Sequence, residues 1–163
     1  MLLLTLLMTG APAAAQDAAL ARPPSLPSTA PQIIDPSSSV DGLPISALPP
    51  QQLPAKGCAA FLWTRTPSMA LVAMATTNPA SLRLAIDGKV ADLPISAQNG
   101  IGGLGYSQVI EYRGKGTTAT LQIVVKTDAS TPKSGSISDA TLRLDRAGRA
   151  SVVIPVAGAI GCA

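Results

Sequence analysis

Apolar side chains return at every second position in four stretches of the chain. Leu82, Leu84 and Ile86 alternate with Arg83, Ala85 and Asp87, and Ala119, Leu121, Ile123 and Val125 with Thr118, Thr120, Gln122 and Lys126. Leu142 and Leu144 face away from Thr141, Arg143 and Asp145, and Val152, Ile154 and Val156 from Ser151, Val153 and Pro155. Successive side chains on a strand point to opposite faces, so each stretch reads as a strand with one buried and one wet face. Turn chemistry lies between them: Asp87-Gly88 is a tight hairpin signal, with Arg113-Gly114-Lys115-Gly116 and Asp145-Arg146-Ala147-Gly148 as looser ones. The spacing predicts an all-β domain over 56–163, an antiparallel β-sandwich or small barrel of about eight strands. Pro94 and Pro155 belong on edges or at strand ends, where a missing N–H costs least.

The front of the chain breaks this pattern. Leu2 to Met8 is a short apolar run followed by Ala13-Ala14-Ala15, which reads as a signal peptide over 1–15, although no Lys or Arg precedes Arg22. The run is far below the roughly 20 residues that span a bilayer, so no transmembrane segment is expected after cleavage. Nine prolines then fall between Arg22 and Pro54, interleaved with serine and alanine. Proline fixes φ and removes donors, so residues 16–55 are expected to form a disordered, extended linker rich in Pro, Ser and Ala.

Two cysteines, Cys58 and Cys162, bracket the β region. In an exported chain such a pair most simply forms a structural disulfide, and no Cys-x-x-Cys motif points to redox chemistry. With both sulfurs joined and no histidine anywhere in the 163 residues, the common zinc sites and the usual neutral-pH general base are missing, so neither metal nor catalytic residues are assigned. Only 2% of residues are aromatic, and Tyr106 and Tyr112 are what remain for base stacking beyond Phe61 and Trp63, which argues against nucleic acid.

Three motifs carry possible chemistry. Asn99-Gly100-Ile101-Gly102-Gly103-Leu104-Gly105 contains Gly-x-Gly-x-x-Gly; with a short helix over Tyr106–Arg113, a strand over Leu121–Lys126 and Asp128 beyond, it resembles the phosphate turn of nicotinamide-dependent dehydrogenases over about 30 residues. That resemblance implies dinucleotide binding, but the preceding stretch Val90–Ser96 carries Asp92 and Pro94 where a continuous apolar strand is required, so no cofactor is assigned. Ser130-Thr131-Pro132-Lys133 is similar to the Ser-x-x-Lys motif of penicillin-recognising serine enzymes, with Pro132 set against the helix that motif needs. Finally, Leu43-Pro44-Ile45-Ser46-Ala47 repeats as Leu93-Pro94-Ile95-Ser96-Ala97, so that if the second copy is an edge strand the first can pair beside it.

Charge supplies the remaining candidate. From Lys56 onward eleven Lys and Arg face six acids. Arg143, Arg146 and Arg149 gather around one predicted hairpin tip and Arg113 and Lys115 around another, a possible anion-binding set for headgroups, sugars or an acidic partner. The sequence is therefore read as a non-catalytic β module exported to a bacterial periplasm or beyond. Its expected role is binding or envelope structure, with an envelope protein or anionic polymer as partner. The alternatives are a nucleotide-binding or enzymatic protein using Gly100–Gly105, or a binder of anionic envelope polymers through the basic hairpins.

Overall fold

The computed structural model describes residues 39–163. The signal peptide read over 1–15, and the linker as far as residue 38, lie outside the described residues. The rest contains eight strands: β1 (Cys58–Thr64), β2 (Leu71–Thr77), β3 (Ala80–Ile86), β4 (Lys89–Asn99), β5 (Val109–Gly114), β6 (Thr117–Thr127), β7 (Ser134–Arg146) and β8 (Val152–Cys162). Each pairs antiparallel with the next, and β8 returns to β1, so the architecture is a closed up-and-down barrel.

The alternation read from sequence becomes the distinction between inside and outside. Leu82 and Leu84 on β3, Ala119, Leu121 and Ile123 on β6, Leu142 and Leu144 on β7, and Ile154 and Val156 on β8 are buried in one continuous core with Leu62 and Tyr112. Eight strands enclose a space that side chains can just fill, and here aliphatic groups fill it. The outer wall carries Arg83, Asp92, Thr120, Gln122, Arg143 and Asp145, the reverse of a barrel that spans a lipid bilayer. No helix among the described residues is long and apolar enough to cross a membrane.

Pro94 and Pro155 were expected on edges or at strand ends; closure removes every sheet edge, so the first of these places does not exist here. Each instead sits where a partner strand runs out. β4 pairs with β3 over Lys89–Pro94 and with β5 only from Ile95 onward, so Pro94 lies at the change of partner. The ladder between β8 and β1 stops at Val156 and Thr64; beyond it the Pro155 carbonyl still accepts from the Arg65 N–H, and the absent proline donor faces backbone that has left the sheet. The second copy of Leu-Pro-Ile-Ser-Ala lies within β4 and so offers no free edge to the first.

Cys58 and Cys162 are directly opposite in the β1–β8 register and joined as a disulfide, with Cα atoms 4.0 Å apart. The Cys58 N–H goes to Thr77 Oγ1 and the Cys162 N–H to the Lys133 carbonyl, so this is the close, non-hydrogen-bonded type of cross-strand pair.

The linker expected to run to residue 55 gives way to ordered, packed chain from residue 39. Val40, Ile45 and Ala47 are buried against the barrel core, the Ser46 N–H donates to the Ala85 carbonyl, and the Leu48 N–H donates to the Leu71 carbonyl. Leu48 then packs on the outer side of β1–β3, against Ala59, Met74 and Ala85. Proline prevents a regular ladder here, but single backbone bonds and alternate apolar residues still dock the segment across the end of the barrel and up its side.

Candidate functional site

In an up-and-down barrel alternate connections share an end. The β1–β2, β3–β4, β5–β6 and β7–β8 connections lie together with the 39–48 segment at one end, and the disulfide and the 100–108 loop lie at the other. At the first end a cleft of about 430 Å³ opens between three hairpin turns. Its cations are Lys89, Lys115, Arg146 and Arg149, and its carboxylate is Asp87.

Strand periodicity places two of these cations. On β7 the inward series Leu142, Leu144 continues to Arg146, and on β4 Leu93, Ala91 continues to Lys89. Each strand thus ends its apolar series with a cation at the barrel mouth, one step past the last layer that aliphatic groups fill. The Arg146 side chain is only 13% exposed, and its Nη1 donates to Asp87 Oδ2 at 3.0 Å. Lys115 and Gly116 form the β5–β6 turn, both with positive φ, and Arg149 comes directly after Gly148 in the β7–β8 turn. Among the described residues Lys89, Lys115 and Arg149 form no ion pair, although Lys115 lies near enough to Asp92 to help lower the pKa of its carboxyl.

The sequence-predicted anion set therefore divides. Lys115, Arg146 and Arg149 meet in the cleft. Arg143 and Arg113 are on the outer wall, two residues from acids on the same strand face: Arg143 forks onto Asp145 at 2.9 and 3.0 Å, and Arg113 reaches Glu111 at 2.9 Å. The Arg143 and Ser151 contacts hold the Asp145 carboxyl below the usual carboxylate range. Neither arginine can join the cleft without breaking its pair. Lys89 is the residue that sequence reasoning missed; extending the period-two series of β4 back from Leu93 would have found it.

Other acids of the barrel are paired likewise. Asp92 accepts a two-bond fork from Arg83 at 2.7 and 2.9 Å, which lowers its pKa, and Asp139 takes Arg65 at 3.4 Å. In the Ser-x-x-Lys stretch the Ser130 hydroxyl donates to Asp128 at 2.7 Å, within the turn between β6 and β7.

The glycine-rich stretch is corrected in its context. Tyr106–Arg113, read as a short helix in the dehydrogenase resemblance, runs instead into β5, so the strand-turn-helix cradle is not formed. Its glycines serve packing: a Cβ on Gly102 would lie 2.1 Å from the Tyr106 carbonyl oxygen. Beside it the Tyr106 hydroxyl donates to the carbonyls of Ala75 at 2.8 Å and Cys58 at 3.2 Å, and burial pushes its pKa up. The loop thus closes the end of the barrel opposite the cationic cleft. No family model matches this chain, and no curated protein or solved structure matches it.

Proposed function

We propose that this chain is an exported, non-catalytic binding module of the periplasm or cell exterior, and that it meets an anionic ligand of the cell envelope at the mouth holding Lys89, Lys115, Arg146 and Arg149. The observation that carries the reading is the meeting of cations from three separate hairpins around one carboxylate, two of them ending the inward series of their strands. A cleft in which four cations face one carboxylate focuses a positive potential and attracts anions beyond what isolated surface charges do. The Cys58–Cys162 disulfide fits an oxidising compartment outside the cytoplasm, and the signal-like start of the sequence supports export.

The test is calorimetric titration of the full chain with long-chain inorganic polyphosphate. Binding is expected to weaken as salt rises and to fall at least about tenfold in the triple variant Lys89→Ala/Lys115→Ala/Arg149→Ala. An unresponsive wild-type protein at low salt, or a triple variant that binds as well as wild type, would refute the reading.

A further inference from the structure

We infer that the anionic partner is a bilayer surface rich in anionic lipid, on which the barrel stands with its cationic mouth down; this inference rests on the binding reading above. A soluble anion needs only charge, whereas the interface of a bilayer also accepts apolar side chains. The same end of the barrel carries both. Met69, in the β1–β2 connection, is 70% exposed, and Val90, next to Lys89 at the start of β4, is 45% exposed. Met69 adopts a positive φ of 43°, a left-handed conformation in a side chain other than glycine, held by its N–H bond to the Thr66 carbonyl. Beside it, Trp63, Pro50 and Leu71 line an apolar hollow.

The arrangement is that of an interfacial binder. Lys89, Lys115 and Arg149 are placed to meet headgroup phosphates, while Met69 and Val90 are placed to enter the boundary of the acyl region. Of the acids at this end, Asp87 is paired with Arg146 and Asp145 with Arg143. Asp41 keeps its charge within its bonds from the hydroxyls of Thr66 and Ser68, and the three unpaired cations Lys89, Lys115 and Arg149 outweigh it. The polar outer wall confines the protein to the surface, because no apolar band surrounds the barrel that would let it sink further.

Sedimentation of the full chain with phosphatidylglycerol vesicles, and with phosphatidylcholine vesicles as the neutral reference, tests this, with polyphosphate titrated in parallel. The chain is expected to bind phosphatidylglycerol and not phosphatidylcholine. Each cation removed from the mouth should cost about fivefold, so that the triple variant loses about 100-fold. Met69→Ser, at an exposed position outside the cationic cleft and with its fold checked by circular dichroism, should weaken vesicle binding about fivefold and leave polyphosphate binding unchanged. Trp63 is the one tryptophan of the chain, and its emission should shift to the blue on phosphatidylglycerol but not on polyphosphate. Polyphosphate binding without vesicle binding would overturn the bilayer inference and leave the binding reading standing; binding of neither would overturn both. Vesicle binding with no emission shift and no loss in Met69→Ser would also overturn the inference.

Discussion

Asp41 shows how a single side chain ties a proline-rich segment to the barrel. Its Oδ2 accepts from Ser68 and Thr66, both at 2.5 Å, and these bonds, that of Ser68 foremost, hold its carboxyl below the usual range. A folded pKa below the unfolded value means that the tie stabilises the fold above about pH 3.9 and is lost as pH falls through the folded value. Asp41→Asn is thus expected to lower the urea midpoint slightly at pH 7 and to match wild type near the acid limit; an equal gap at both pH values would show that the carboxylate charge plays no part. Tyr106→Phe probes the opposite end. Losing the bonds to the Ala75 and Cys58 carbonyls should cost about 1–2 kcal/mol in chemical denaturation, with polyphosphate binding unchanged. At this scale the sequence was only partly legible. Arg143, Arg146 and Arg149 look alike as a cluster, yet alternation points Arg143 at Asp145 on the outer wall and Arg146 into the mouth.

The element whose role differs most from its sequence signature is the segment over 39–50. Its prolines disguise a docking strip, because proline abolishes the periodicity by which strands are recognised while leaving Ile45 and Leu48 free to be buried. Ile45 is fully buried, so Ile45→Ala should destabilise by about 2–5 kcal/mol in urea unfolding. A cost below about 0.5 kcal/mol is what an unpacked linker would give, and would show that the segment is not part of the fold. The 100–108 loop is the counterpart at the other end. Gly102→Ala forces a Cβ against the Tyr106 carbonyl, and a loss of more than about 1 kcal/mol is expected, read by thermal melting. Its glycines were legible as a loop in the sequence, but their spacing alone cannot tell a phosphate cradle from a tight plug. A cradle needs a helix directly after the glycines, and the chain enters strand β5 there instead.

For the whole molecule the disulfide closes the ring covalently where β1 and β8 already pair. The cysteines are 104 residues apart, and the chain-entropy model gives up to about 4.7 kcal/mol for a loop of roughly 100 residues, with about 2–4 typical. Cys58→Ala/Cys162→Ala is expected to melt roughly 10–15 °C lower while keeping the β spectrum of the native barrel, because the β1–β8 ladder remains. A melting temperature within a degree or two of wild type would mean that the ladder alone sets stability. The alternating faces of β3, β6, β7 and β8, the approximate number of strands and the cysteine pairing were contained in the sequence. Alternation is a local property of consecutive side chains, and two cysteines in an oxidised chain have one intramolecular partner each. Only the tertiary structure decided that the sheet closes as a barrel and not a sandwich, that proline-rich chain caps one end, and that Lys89 joins Lys115, Arg146 and Arg149 while Arg113 and Arg143 stay apart. Closure and the meeting of turns depend on register between strands far apart in sequence, and no short window of residues carries that information.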